Sequence, residues 1–333
     1  MLLHNLYFVR CAYKYFGDYK LAVRKNQIAL VLGSGGARGL AHIGVIKALE
    51  ENDIPIDIIA GTSIGAFIGG LYACGIDVNK MENIIAKVDK LMVAKFLFPK
   101  LFSPGFIDSK RVAEYIRTLI GDKKIENLKI PFATVSTNLI TGEQIVFKKG
   151  SVVDAIMASI AIPAIFEPVF LNNRYLIDGG LSNPLPISVA MEMKAHKIIA
   201  VNVSPNPKRI ARKIKTQKQE EAKLSFKKLP SMFTNLLNDY TWFSSKNGSD
   251  MKKDPRIEIR NSAPNLWNVF FQSFSISTNN LMAQQLRYAK PDILISPKVE
   301  DFDMLEFYKG HEIINCGYNS VQKAMPEILA NII

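Results

Sequence analysis

Two short apolar runs, each followed by a turn and a helical pattern, constrain the fold of this chain more than any other feature. The first is QIALVLG at residues 27–33, and a glycine-rich turn and an amphipathic pattern to residue 51 follow it. The second covers residues 54–60 and again leads through a turn into a helix. Strand, helix and strand in this order predict a parallel sheet with right-handed crossovers, and thus an α/β fold.

Local patterns further along the chain predict elements that extend this sheet. We expect a helix at 109–120, a hairpin of 130–137 with 143–147, a helix at 152–159, and late strands at 197–203 and 291–296. The sequence after the helix predicted at 152–159 is interpreted as irregular, because Pro163, Pro168 and the Asn172-Asn173 pair interrupt it. Residues 204–264 are polar and rich in lysine, and are interpreted as an insertion or lid.

The sequence GTSIG at residues 61–65 stands at the turn after the second strand. It matches G-x-S-x-G, in which a sharp turn lifts the serine hydroxyl above the sheet and the flanking glycines allow close backbone approach. We therefore predict Ser63 as a nucleophile, with Gly61 and Gly65 in its elbow. The same five residues would also fit a small-residue helix start without chemistry.

A membrane-spanning helix is a competing interpretation of this region. Residues 58–76 carry no charge over 19 positions, and glycines repeat within them at GxxxG spacing. Five glycines in that stretch argue against a helix, since each costs about 1 kcal/mol relative to alanine.

A second glycine-rich turn, GSGGARG at residues 33–39, also joins a strand to a helix. A dinucleotide loop would need a third glycine where Arg38 stands, and the Lys-Ser/Thr of a phosphate-binding P-loop is absent. The backbone N–H groups of Gly35, Gly36 and Ala37 instead offer an anion site at a helix N-terminus. Such a site can stabilise the oxyanion of an acyl-transfer intermediate.

A nucleophilic serine needs a base, and the chain has four histidines. His4 precedes the sheet, His42 is interpreted as a packing or capping residue, and His196 precedes a late strand, far from the carboxyl edge where chemistry collects. His311 is not excluded by position, so a Ser-His-Asp triad stays open without being favoured. The alternative base is Asp178, at the end of an apolar run before two glycines, although Asp before Gly is also a common turn residue.

The distribution of charge limits which partners the chain can bind, and the cysteine content indicates which redox compartment suits it. Of the net charge of +12, residues 208–228 carry nine Lys or Arg against two Glu. That basic run is consistent with a solvated face or with contact to an anionic membrane or nucleic acid. The apolar stripe at 232–243 is equally consistent with an interfacial helix and with a helix packed on the domain. Three widely spaced cysteines favour a reducing compartment and provide neither a disulfide framework nor a zinc site.

Four blocks together resemble the patatin-like phospholipase family, particularly its bacterial members. They are GSGGARG, GTSIG, ASIAIPAIFEPV at 158–169 and DGGLSNPLP at 178–186. The resemblance implies a three-layer α/β/α fold with a mostly parallel central sheet over residues 27–333, after an N-terminal extension of residues 1–26. It also implies a Ser63–Asp178 dyad, oxyanion donors at Gly35, Gly36 and Ala37, Arg38 at the family's basic position, and no catalytic histidine, metal or cofactor.

The same resemblance implies a serine acyl hydrolase of the lipase, phospholipase A or lysophospholipase type. Its partner would be a phospholipid or another acyl-ester lipid, with peripheral contact to an anionic membrane as a further expectation, and nucleic acid is not expected. We expect a cytoplasmic location. Two alternatives from other classes are a non-catalytic lipid-binding or regulatory module on the same fold, and a nucleotide-binding protein that uses the glycine loop.

Overall fold

An eight-stranded sheet lies at the centre of the computed structural model, which describes residues 27–91, 109–205 and 266–332. The strand order is β5-β6-β3-β2-β1-β7-β8, and β4 pairs with β3 away from this path. The strands are β1 (Ile28–Leu32), β2 (Ile58–Thr62), β3 (Phe132–Asn138), β4 (Gln144–Phe147), β5 (Val169–Leu171), β6 (Arg174–Asp178), β7 (Lys197–Val201) and β8 (Ile293–Ile295). Five of them, β1, β2, β3, β7 and β8, run parallel, as the sequence predicted.

Helices connect these strands and cover both faces of the sheet. They are α1 (Ala41–Glu51), α2 (Ile64–Ala73), α3 (Val78–Ala86), α4 (Ser109–Ile120), α5 (Val152–Ser159), α6 (Ile187–Glu192), α7 (Leu266–Tyr288) and α8 (Gly310–Ile332). A 3₁₀ turn, Gly36–Leu40, precedes α1. None of the helices within the described ranges has both the length and the apolar character needed to cross a bilayer.

Alternation along β1 shows that the sheet separates two apolar cores. Leu30 and Leu32 belong to the larger core, which includes side chains of α1, α2 and α8. Ala29 and Val31 point to the smaller core, which contains side chains of α6 and Met282 of α7. Successive side chains of a strand point to opposite faces, so the sheet is buried on both sides. The fold is therefore a three-layer α/β/α structure with a mostly parallel central sheet.

Most of the predicted elements are present, with shifted ends. The helix predicted at 152–159 agrees with α5, whereas the strand predicted at 54–60 begins four residues later, at Ile58. The four residues before it have no regular secondary structure, and the Asp57 carboxylate accepts a hydrogen bond from the Ile28 N–H at 2.9 Å. The spanning helix considered for residues 58–76 was wrong, because that stretch forms β2 and α2.

One hairpin was missed, and the irregular interpretation of its region was wrong. Strands β5 and β6 pair antiparallel around Asn172 and Asn173, which have φ values of 52° and 58°. Two successive residues with positive φ form the type I′ turn that best matches the twist of a hairpin, and asparagine tolerates this conformation. The Asn-Asn pair was thus a hairpin signal. The basic run at 208–228 and the stripe at 232–243 lie outside the described residues.

Candidate active site

Ser63 lies on a strained turn between β2 and α2. Its φ of 57° and ψ of −123° fall in a region that non-glycine residues rarely adopt, at a cost of about 1–3 kcal/mol. A side chain at Gly65 would collide with the carbonyl oxygen of Leu32, and one at Gly61 would collide with the Gly65 backbone. The two glycines are therefore required for the turn to pack against β1 and hold the Ser63 hydroxyl at the carboxyl edge of the sheet.

The Ser63 hydroxyl donates a hydrogen bond to Asp178 Oδ2 at 2.5 Å, across 115 positions of sequence. Ser63 is 4% exposed and Asp178 is fully buried. The structure thus brings together the two residues that the sequence predicted as nucleophile and base.

Strand β3 explains why these two residues meet. Its Val135 pairs with Thr62 at the end of β2, and the next residue, Ser136, pairs with Asp178 at the end of β6. Strand β4 occupies the opposite side of β3, so β6 continues the sheet on the side where β2 ends. Ser63 follows Thr62 directly and therefore lies beside Asp178.

Burial is the main influence on the Asp178 carboxyl group. Desolvation raises its pKa to about 7, although hydrogen bonds from Ser63 and from the Gly180 N–H favour the ionised form. The Gly180 N–H lies 2.7 Å from Oδ1, which leaves Oδ2 for Ser63. A carboxyl group with this pKa is partly protonated at neutral pH and is a far better base than an exposed aspartate.

Ser159, at the end of α5, fixes the backbone of Ser63, and no sequence pattern indicated this role. Its Oγ accepts a hydrogen bond from the Ser63 N–H at 2.8 Å and donates one to the Val135 carbonyl at 2.6 Å. The strained turn is thereby fixed to β3. The residue lies in the block ASIAIPAIFEPV, but only the three-dimensional contact identifies its partner.

Backbone hydrogen bonds anchor the first two residues of the glycine loop. The N–H groups of Gly33 and Ser34 donate to the carbonyls of Val201 and Pro184, at 3.1 and 2.8 Å. Among the described residues, no group accepts a hydrogen bond from the N–H of Gly35 or Gly36.

Ala37 differs from the predicted set of oxyanion donors. Its N–H donates to the Met304 carbonyl at 2.8 Å, so it is not free to bind an anion. The prediction placed it with Gly35 and Gly36 because all three stand at a helix N-terminus. The contact with Met304, which is distant in sequence, removes it.

Arg38 places a buried guanidinium beside the loop. It is 7% exposed, and its Nε lies 3.4 Å from the Gly35 carbonyl. Burial lowers its pKa, whereas the nearby carboxylates of Asp303 and Glu300 raise it. The basic side chain thus faces the same cleft as Ser63.

A small cleft opens above Ser63, and α7 forms one of its walls. The lining residues are Ser34, Gly35, Arg38, Ser63, Ser204, Pro205, Phe274, Ser275, Thr278, Asn279 and Met304. Phe274 and Met304 also belong to a separate apolar cluster with Ile162 and Ile165. The cleft therefore joins a polar end beside Ser63 to an apolar region, an arrangement that can hold a ligand with both polar and hydrocarbon parts.

The described histidines lie elsewhere. His42 is fully buried in α1 beside Gly33, His196 accepts a hydrogen bond from the Gln27 N–H at 3.1 Å, and His311 is exposed and contacts Asn315. None of these three contacts Ser63 or Asp178, and His4 lies outside the described residues. Within the described ranges, no group of His, Cys, Asp or Glu could hold a metal ion.

Comparisons with known proteins agree with the motifs. The profile of the family described as patatin-like phospholipase matches residues 30–191. An NTE family protein of Mycobacterium tuberculosis is 38% identical over 178 residues, which cover 54% of this chain and 49% of that protein. Lysophospholipase NTE1 of Kluyveromyces lactis is 29% identical, covering 87% of this chain and 18% of its own length.

A human relative is similar over a shorter stretch. Patatin-like phospholipase domain-containing protein 6 of Homo sapiens is 36% identical over 216 residues, which cover 60% of this chain and 15% of that protein. The chain thus spans half or less of the length of each of these three relatives.

Proposed function

This chain belongs to the patatin-like phospholipase family through residues 30–191 and has lysophospholipase and NTE-type relatives, and we propose that it hydrolyses carboxylic esters of membrane lipids with Ser63 and Asp178. The observation that carries the proposal is the hydrogen bond from Ser63 Oγ to Asp178 Oδ2 on a strained elbow. We extend the proposal to domain organisation, with residues 27–333 as one catalytic domain and 204–264 as an insertion.

The chemistry proceeds in two steps. In the first, the Asp178 carboxylate accepts the hydroxyl proton as Ser63 Oγ bonds to the ester carbonyl carbon. The carbon–alkoxide bond then breaks, the proton passes from Asp178 to the leaving alcohol, and an acyl-enzyme remains. In the second step, Asp178 takes a proton from water as the water oxygen bonds to the acyl carbon. The bond between the acyl carbon and Ser63 Oγ then breaks, Asp178 returns the proton to Oγ, and the carboxylic acid departs.

The oxyanion of each tetrahedral intermediate needs donors that are already in place. The N–H groups of Gly35 and Gly36 meet this requirement, because Gly35 lines the cleft, Gly36 follows it directly, and neither N–H has an acceptor within the described part of the chain. Removal of one such donor typically costs about 10²- to 10³-fold in rate.

A non-catalytic lipid-binding module on the same fold is the alternative. Ser63 is held by Ser159 and faces Asp178, and this arrangement favours an enzyme because a binding module would not need a strained elbow. A fluorophosphonate probe separates the two functions. We expect it to label the wild-type protein at Ser63, and a wild type that does not react while binding lipid would favour the module.

The pH dependence of kcat/KM should follow the ionisation of Asp178. Its pKa is raised to about 7, and only the ionised carboxyl can accept the Ser63 proton. We therefore expect kcat/KM on a short-chain, water-soluble ester to rise about tenfold per pH unit below this pKa and to level off above it. Initial rates from about pH 5 to about pH 9 test this. A flat profile across that range would argue against Asp178 as the base.

Exposed apolar side chains on the same edge of the sheet favour contact with a lipid surface. Ile140 is 78% exposed, Phe170 60% and Tyr175 51%, and the Phe170 and Tyr175 rings lie 4.9 Å apart. The Leu139 N–H donates to the Tyr175 carbonyl, so the two hairpins that carry these side chains are adjacent. We call Ile140, Phe170 and Tyr175 the hairpin patch. The net charge of +12 complements an anionic bilayer.

Replacing all three side chains of the hairpin patch by serine should weaken binding to anionic phosphatidylglycerol vesicles by about tenfold or more, because apolar area no longer enters the interface. Hydrolysis of vesicle lipid should fall with binding, while hydrolysis of a water-soluble ester stays unchanged. Met191→Ser is the matched control, since Met191 is 45% exposed on α6, near the start of β7 at the opposite edge of the sheet. Equal vesicle binding by the patch variant and wild type would contradict the contact.

A further inference from the structure

His42 is buried beneath the glycine loop and contacts its first residue. The side chain is fully buried in α1, and Nε2 lies 2.8 Å from the Gly33 carbonyl oxygen, nine residues earlier in the chain. The chemistry proposed above does not use His42. A fully buried polar side chain usually has a partner that explains its presence, and here that partner belongs to the loop beside Ser63.

The state of the imidazole follows from its surroundings. A carbonyl oxygen can only accept, so Nε2 of His42 must carry the hydrogen. Burial lowers the pKa of His42 to about 4, and the ring is therefore neutral at physiological pH, with Nδ1 unprotonated. Nδ1 has no hydrogen-bond partner in the described part of the chain. The hydrogen bond to Gly33 is thus the one polar contact that the described structure gives this ring.

The Gly33 carbonyl lies in a peptide group that is hydrogen-bonded at both ends. It belongs to the peptide group that joins Gly33 to Ser34, and the N–H of that group donates to Pro184 at 2.8 Å. His42 and Pro184 therefore hold the two ends of one peptide plane. The next two N–H groups are those of Gly35 and Gly36, which carry no side-chain restraint of their own.

We propose that His42 is a positioning residue, which fixes the Gly33–Ser34 peptide so that the N–H groups of Gly35 and Gly36 point at the oxyanion. The proposal rests on the ester hydrolysis proposed above and adds a residue to it. Without the His42 donor, the Gly33 carbonyl is a buried acceptor without a partner. The peptide then rotates to find another donor, and the two following amides turn away from Ser63.

A pair of substitutions isolates the hydrogen bond from the volume of the ring. His42→Met fills a similar space without a donor, whereas His42→Gln places an amide N–H near the position of Nε2. With a water-soluble ester, we expect His42→Met to lower kcat by about 10- to 100-fold with KM within about twofold of wild type, since only the transition state gains from the amides. His42→Gln should recover most of kcat.

A transition-state analogue and a matched core variant exclude a merely structural role. Affinity for a trifluoromethyl ketone, which forms an oxyanion on Ser63, should fall in His42→Met by the same factor as kcat. Ile46→Val removes a methyl group from a fully buried side chain of the same helix and should lower Tm without changing kcat.

The outcomes are distinct. A His42→Met variant that keeps wild-type kcat, or a kcat loss that His42→Gln does not recover, would overturn the positioning role while leaving the hydrolase intact. A wild-type protein without esterase activity would refute the proposed function and this role with it. If His42→Met does not fold, ¹⁵N-histidine spectra of the wild type decide: the Nε2–H signal of His42 should shift when the ketone binds, and an unchanged signal overturns the proposal.

Discussion

Ser63→Ala should abolish ester hydrolysis, lowering kcat/KM by about 10⁴-fold or more, because it removes the hydroxyl that forms the acyl-enzyme. The elbow orients the Ser63 hydroxyl toward Asp178, and a water molecule in its place would lack the fixed geometry that makes attack effectively intramolecular. Reaction with a fluorophosphonate probe should disappear together with activity. Rates with a water-soluble ester and the labelled fraction measure both.

The fold should survive this change, which makes the loss of activity interpretable. The bond from the Ser63 N–H to Ser159 involves the backbone and is independent of the hydroxyl. Ser320→Ala is a matched control, since the Ser320 hydroxyl bonds only within α8, to the Gly317 carbonyl. It should leave kcat/KM unchanged. Substantial esterase activity in Ser63→Ala, with the control active as well, would require a different nucleophile.

The two residues of the proposed dyad could be identified as candidates from the sequence, because each follows a recognisable local pattern. GTSIG after a buried strand indicated Ser63, and an apolar run that ends in Asp-Gly-Gly indicated Asp178. Their contact was not predictable from spacing, since it depends on β3 pairing with both β2 and β6. The antiparallel pairing of Ser136 with Asp178, which are far apart in the chain, leaves no periodic trace in the sequence.

The supporting contacts escaped prediction for the same physical reason. Met304 removes Ala37 from the donor set, and His42 reaches back to Gly33, but neither contact has a sequence pattern that distinguishes it from ordinary packing. From its position in the sequence alone, His42 is accordingly interpreted as a packing or capping residue. Long-range partners of single polar groups emerge only when the sheet order is known.

Asp178→Asn should lower kcat by about 10³- to 10⁴-fold while leaving the protein as stable as wild type or more stable. The asparagine carbonyl would accept the Gly180 N–H in place of Oδ1, so the amide nitrogen would face Ser63. An amide nitrogen donates and cannot accept the hydroxyl proton, so the base is lost although the shape is kept.

Stability should change in the opposite direction to activity, and this distinguishes a base from a structural carboxylate. The folded-state pKa of Asp178 is raised to about 7, above that of an unfolded aspartate, so ionisation costs stability as pH rises through this value. Because an unfolded aspartate ionises near its reference pKa of about 3.9, this loss grows between about pH 4 and about pH 7. Asparagine does not ionise, and the variant should therefore gain more in Tm relative to wild type at about pH 8 than at about pH 5. Asp53→Asn is the control, because Asp53 is exposed with a φ of 54°, which asparagine tolerates. A Tm for Asp178→Asn that falls at high pH would show that the charge stabilises the fold, and that Asp178 is not held there at a cost for catalysis.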